Sequence, residues 1–322
     1  MTGAGSALPV RAAEPVPVVI AVDGLNQLRN LPVLLADKLG YFKDEGLSVT
    51  FKETSAGPDI DAQLADGSIV GMAAYYHHTL VAQIDESRAM EAVVTLAVTP
   101  GYKVLASTLV AKDLKSPADL KGRRIIAGGS HSAKSTSANW LILNAGLKPT
   151  DYVRLSTAGR PAILKALTDG TADLVVAPEP DASFYVSKGA AVPYADLYSV
   201  EGTKKAIGSV FPSSVLYLST AYAASHKPLT QHLVNALVRS LAYINTHSAS
   251  DIRSALPAVD SAQSKGRSEL EDGVKMFATD GTMPREAARA EAEVIATLFP
   301  QYKGVNTDLT FTNEFVEASR KP

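Results

Sequence analysis

Gly128-Gly129-Ser130-His131-Ser132-Ala133-Lys134-Ser135-Thr136 joins glycines, hydroxyls, an imidazole and an ammonium in one short stretch. It follows the apolar run Arg124-Ile125-Ile126-Ala127 and precedes Ala138, Leu141, Ile142 and Ala145, which recur at helical spacing. A strand, a glycine loop and a helix opened by hydroxyls can bind an anion. Glycines admit close backbone approach, and the first helical N–H groups lack intrahelical partners and lie at the positive end of the dipole. Neither G-x-G-x-x-G nor G-x-x-x-x-G-K-[ST] is present, which argues against a dinucleotide or a nucleoside triphosphate. The same residues also suit a plainer purpose: Gly128 and Gly129 turn the chain and a serine caps the helix.

Other groups widen the choice. Arg29 and Arg160 offer guanidinium groups that bind carboxylates or sulfonates bidentately, although a loop arginine is as often solvated or paired with an acid. Tyr75, Tyr76 and Tyr102 offer faces for stacking on a ring, or simply packing. His77-His78 invites a metal, but neighbours on extended backbone point opposite ways and no further ligand stands at zinc spacing. No metal or cofactor is expected. Glu179 suits an amine or amide of a ligand, or a hinge-side lysine such as Lys103. It shares a short loop with Asp181, which does not make an acid–base pair. There is no G-x-S-x-G elbow and no cysteine, which removes that serine-hydrolase signature, thiol catalysis, thiolate zinc and disulfides. An enzyme is not expected.

The elements around these groups are regular. The chain has 322 residues, 46% hydrophobic and 20% charged, with a formal net charge of −2. That is a globular composition long enough for two domains, without the basic excess that nucleic acid or an anionic membrane attracts. No apolar run reaches the ~20 residues of a membrane span. Val18-Val19-Ile20-Ala21-Val22, Leu47 to Phe51 and Ile69 to Ala74 read as strands. Between them lie the stripe Leu31, Leu34, Leu35, Leu39 and a short helix around Ile60 and Leu64. Ser116-Pro117-Ala118-Asp119 opens a helix by its cap signals. The C-terminal third is mostly helical, including 233–244 and 285–299. Leu64-Ala65-Asp66-Gly67-Ser68 is echoed by Leu167-Thr168-Asp169-Gly170-Thr171, each before an apolar strand. Two similar α/β lobes follow. The first takes residues 16–105 and 215–322 and the second 106–214, after a flexible segment 1–15 that contains a signal-peptide remnant, a cloning scar or a mature arm. The chain crosses between lobes at 102–110 and returns at 213–219.

Open α/β sheets bind ligands outside the carboxyl ends of their strands. In the first lobe those ends carry Asn26, Gln27, Arg29, Asn30, Tyr75, Tyr76, His77, Thr99 and Tyr102. In the second they carry Gly129, Ser130, His131, Ser132, Ser135, Arg160, Glu179 and Asp181. Cations, amides, hydroxyls and aromatic faces suit a small molecule with an anionic head and a flat or apolar body.

Leu31-Pro32-Val33-Leu34-Leu35-Ala36-Asp37-Lys38-Leu39-Gly40-Tyr41-Phe42-Lys43-Asp44-Glu45-Gly46-Leu47 resembles the opening helix of the NMT1/THI5-like family. Asp113-Leu114-Lys115-Ser116-Pro117-Ala118-Asp119-Leu120-Lys121-Gly122 and Asn144-Ala145-Gly146-Leu147 resemble further pieces in the same order. Glu179-Pro180 resembles the family's Trp-Glu-Pro segment, with Pro178 in place of tryptophan. The resemblance spans about Val18 to Ser240. It implies a type II periplasmic binding protein, two α/β lobes joined by two crossover strands that close on a ligand and are then recognised by the membrane permease of an ABC importer. It also implies a periplasmic or other extracytoplasmic location, a monomer and no nucleic-acid partner. By similarity, Gly129, Ser130 and Ser132 form an anion site, with 26–30 and Tyr75, Tyr76 and His77 opposite. The family's eukaryotic thiamine-pyrimidine synthases carry a cysteine-rich motif that is missing here. A sensor domain on the same fold would need a signalling segment that the chain lacks. The expected ligand is an aromatic carboxylate or a sulfonate, with a thiamine-pyrimidine precursor as the alternative.

Overall fold

The computed structural model describes residues 14–25, 27–56, 58–83, 89–130, 132–157, 159–256 and 267–321. The expectations for Asn26, for His131 and for most of the 1–15 segment therefore fall outside the described residues.

Ten strands form two five-stranded sheets. In chain order they are β1 (Val16–Val22), β2 (Leu47–Glu53), β3 (Gly71–Ala74), β4 (Met90–Ala97), β5 (Tyr102–Ser107), β6 (Arg124–Ile126), β7 (Val153–Leu155), β8 (Leu174–Ala177), β9 (Ala191–Leu197) and β10 (Ser214–Ser219). The first sheet has the order β2-β1-β3-β10-β4 and the second β7-β6-β8-β5-β9. In each, three strands run parallel and a strand arriving from the other half of the chain pairs antiparallel beside them. Every residue of β10 and all but one of β4 are buried, so both strands are covered on both faces. Edge strand β2 instead alternates towards solvent along its length.

The repeated Asp-Gly turns mark corresponding places. Asp66 and Asp169 accept backbone N–H bonds from Ser68 (2.9 Å) and Thr171 (3.1 Å). Gly67 and Gly170 take left-handed φ values of 78° and 74°. Each turn leads into the third strand of its sheet order, β3 or β8.

Two expectations shift. The chain crosses earlier than expected: Tyr102–Leu105 already pair in the second sheet, and β10 lies wholly in the first. The crossing segments are 98–101 and 198–213, the second with a helix, Val200–Ile207, and backbone bonds tie them to each other and to the flanking strand ends. Phe211 N–H donates to Val98 O (2.8 Å), Ser213 N–H to Ala97 O (3.0 Å) and Gly101 N–H to Leu197 O (3.0 Å). The helix expected from Ser116 is a single 3-10 turn, Pro117–Leu120. Its Asp119 carboxylate accepts the Ser116 N–H at 2.7 Å, but Lys121 is already extended and Gly122 left-handed, so the chain turns into β6. The C-terminal helices Lys227–Thr246 and Arg285–Leu298 lie where their periodicity places them.

Candidate functional site

The carboxyl ends of β1 and β3 bring several of the candidate residues together. Beyond Val22 the chain reverses at Gly24 (φ 72°) into a 3-10 turn, Leu28–Asn30. Arg29 folds back over this turn, and its Nη2 donates to Asp23 O at 2.7 Å and to Asp23 Oδ2 at 2.9 Å. The guanidinium carbon lies 4.6 Å from the centre of the Tyr75 ring. Its Nε is buried without a partner among the described residues. A buried N–H with no acceptor is uncommon, and an incoming anion would satisfy it.

Around Arg29, beside its Asp23 partner, the surface is aromatic. Tyr75 stacks on His77 with centroids 5.7 Å apart and meets Phe211 edge-on. Tyr102 stands at the start of β5, and burial, then the neighbouring Tyr75, holds its hydroxyl well above the ordinary tyrosine pKa. Burial, then the neighbouring His78, pushes the His77 pKa well below its usual range. Burial, then the Arg29 charge, pushes His78 down to about 4. Both imidazoles are neutral at pH 7. They do not point apart as an extended backbone would direct them. His77 opens a helix, His77–Ala82, and the two rings sit 4.2 Å apart. Among the described residues no three metal-ligating side chains gather.

Other expected ligand residues are engaged elsewhere. Asn30 is fully buried; its Nδ2 donates to Asp23 O (2.8 Å) and Gly24 O (3.0 Å), and its Oδ1 accepts from Ser214 Oγ (2.9 Å). It builds the loop that carries Arg29. Tyr76 turns into the first-lobe core, where its hydroxyl meets Thr310 Oγ1. Thr99 belongs to the crossing and donates to Tyr198 O at 2.9 Å. Arg160 is exposed, pairs with Asp181 and lies over Phe184. Glu179 is buried with Oε1 3.1 Å from Lys103 Nζ, while Oε2 accepts the Ser183 N–H at 2.9 Å. The hinge-side lysine, rather than a ligand amine, is its neighbour.

In the second lobe, Ser132 caps the helix Ala133–Asn144. Its Oγ accepts the Ser135 N–H at 3.2 Å and lies within donating distance of Gly129 O (2.8 Å) and Ala127 O (3.1 Å). The positive φ of Gly128 (72°) brings that hydroxyl close beneath the turn. Gly129 and Ser130 are exposed at the loop's tip. The loop thus has its cap in place and its tip exposed.

Sequence reasoning missed Asp23, His78, Tyr198 and Asp272. Asp23 had a local signal, as the first polar residue after an apolar strand. Tyr198, which accepts the Glu179 N–H at 2.8 Å, and Asp272, bonded to Lys103 at 2.7 Å, had none.

Two mixed sheets, a two-segment crossing and a polar–aromatic cluster at the strand ends define the periplasmic-binding-protein fold. The NMT1/THI5-like family model matches residues 27–249, and the chain belongs to that family. Solved structures agree on the fold. A protein of Bordetella bronchiseptica is 25% identical, covers 96% of this chain and 98% of its own, and has a TM-score of 0.73. The alkanesulfonate-binding protein of Xanthomonas axonopodis, solved with MOPS bound, is 19% identical over 94% of this chain and 100% of its own, with a TM-score of 0.63. The periplasmic nitrate-binding protein of Synechocystis is 12% identical over 96% of this chain and 89% of its own, at 0.60. No curated protein matches the sequence significantly. The Xanthomonas and Synechocystis structures are those of an alkanesulfonate-binding and a nitrate-binding protein. Among the described residues no helix is long and apolar enough to cross a membrane.

Proposed function

We propose that this protein is the extracytoplasmic solute-binding component of an ABC importer and captures a small organic anion between its two lobes. The observation that carries the reading is Arg29, whose buried Nε lacks a partner beside an aromatic wall of Tyr75 and Tyr102. The anionic head would accept from Arg29 and its flat or apolar body would lie on Tyr75, with neutral His77 alongside. The Gly129-Ser130-Ser132 loop would close from the second lobe towards the same head. Lobes of this kind move about their crossing segments, and binding favours the closed state because neither lobe alone satisfies the ligand. The closed monomer would then be recognised by its permease.

A second reading, a thiamine-pyrimidine precursor, draws on Asp23, a half-buried carboxylate next to Arg29 that can accept from ring amines. A thermal-shift panel of aryl carboxylates, alkyl and aryl sulfonates and aminopyrimidines tests both. A ligand at about 100 times its Kd adds about 2.7 kcal/mol, a shift of a few degrees. Stabilisation by carboxylates or sulfonates that disappears in Arg29→Ala supports the anion. Stabilisation by pyrimidines alone overturns it.

A further inference from the structure

Arg29 does not face a ligand alone. Asp23, the first residue after β1, is held by both its backbone and its side chain. Its N–H donates to Ala73 O at 3.0 Å, and its carbonyl accepts from Arg29 Nη2 (2.7 Å) and Asn30 Nδ2 (2.8 Å). Its Oδ2 accepts from the same Arg29 Nη2 at 2.9 Å. The Arg29 side chain is 13% exposed and that of Asp23 27%. Both Asp23 acceptors sit on Nη2, which leaves Nε for a ligand. Nε and Nη2 are bonded to one carbon of a planar group, so an oxygen accepting from Nε stands only a few ångströms from the Asp23 carboxylate.

The charges that meet at this corner cancel. Arg29 brings one positive charge and Asp23 one negative. His77 and His78 are neutral at pH 7, and His77 itself feels the Asp23 charge. Tyr217, its ring 6.4 Å from that of His78, feels Asp23 and also Asp61 of the helix Pro58–Ala65. In the second lobe, Arg154 donates to Gly128 O at 2.8 Å and Arg160 pairs with Asp181. A head with one negative charge exchanges its hydration for the Arg29 N–H and meets one repulsion from Asp23. A head with two loses far more hydration, because the Born cost grows as the square of the charge, and its repulsion doubles.

We propose that Asp23 is a charge filter for the ligand: it makes the Arg29 site take a singly charged head, as in a sulfonate or carboxylate, and refuse a doubly charged one, as in a phosphonate dianion. The inference rests on the anion reading proposed above and adds the residue that selects among anions. Asp23 acts through its field and through its hold on Arg29, without itself bonding the head.

Benzenesulfonate and phenylphosphonate test this. They carry the same ring and the same tetrahedral head, and at about pH 8.5 the first bears one charge and the second two. Calorimetric titration of wild type and Asp23→Asn with both compounds, at fixed ionic strength, reads the ratio of their affinities. Wild type is expected to favour benzenesulfonate by at least about tenfold, and Asp23→Asn to narrow that ratio by about tenfold, chiefly through tighter phosphonate binding. A purely structural role would weaken both compounds alike and leave the ratio unchanged. Comparable affinities in the wild type, or one ratio shared by both proteins, overturns the proposal. Asp23→Ser supplies the same comparison if the asparagine variant does not fold, with circular dichroism checking both. Failure of the anion reading looks different: neither compound binds the wild type, and the filter falls with it.

Discussion

Lys103 Nζ stands 2.7 Å from Asp272 Oδ2 and 3.1 Å from Glu179 Oε1, so one ammonium joins carboxylates rooted in different lobes. Lys103 lies on β5 and Glu179 follows β8, both in the second sheet. Asp272 belongs to the helix Arg267–Gly273, whose Leu270 packs in the first-lobe core. Burial lowers the Lys103 pKa, but its bonds to Asp272 and Glu179 outweigh that and leave it raised.

Asp272→Asn removes the half of this bridge that spans the lobes. Both partners are about a quarter to a third exposed, so the expected effect is modest, a two- to fivefold loss of ligand affinity (about 0.5–1 kcal/mol). Titrations in rising sodium chloride check the cause. Wild-type affinity falls with salt, and the variant's falls less.

Arg29→Ala is expected to weaken binding of an anionic probe such as ethanesulfonate by about ten- to a hundredfold, the range of a hydrogen bond to a charged group. Arg29→Lys keeps the charge but not the fork, and should recover only part of the loss. Calorimetric titration separates the three proteins. Equal affinities would remove Arg29 from the site.

Asn30→Ala should act on stability first. It strips partners from Asp23 O, Gly24 O and Ser214 Oγ in a fully buried place, at an expected cost of about 2–4 kcal/mol. Thermal denaturation without ligand reads this directly. A drop in melting temperature of several degrees is expected.

Much of the scaffold was legible in the sequence. Leu174–Ala177 is a strand from its apolar run alone, and the stripe of Lys227–Thr246 is a helix from its period. The site was harder to read because its side chains answer to residues far away. Asn30 looked like a ligand amide, yet its oxygen is taken by Ser214, 184 positions on. Tyr75 and Tyr76 are neighbours with equal claims, and only the packing of Thr310 against the second sends it into the core.

The paired histidines give the fold a pH dependence of its own. Burial, and for His78 the Arg29 charge, lowers their folded-state pKa values, His78 to about 4. Their stabilising contribution is complete above the unfolded value of ~6.5 and is lost as pH falls through the folded values. Chemical denaturation from about pH 7 down to about pH 4 should show this decline, and His78→Gln should flatten part of it. An unchanged slope in the variant would place the acid sensitivity elsewhere.

The outgoing segment 98–101 is short, whereas the returning one, 198–213, carries a helix, Val200–Ile207, that packs on β9 and on the helix Ala133–Asn144 of the second lobe. In the clamp motion proposed above, the two narrow passages, at Val98 and Phe211, would act as the pivot. The distance between the lobe rims would then follow occupancy, and a membrane partner touching both rims would read it as a length, without contacting the ligand.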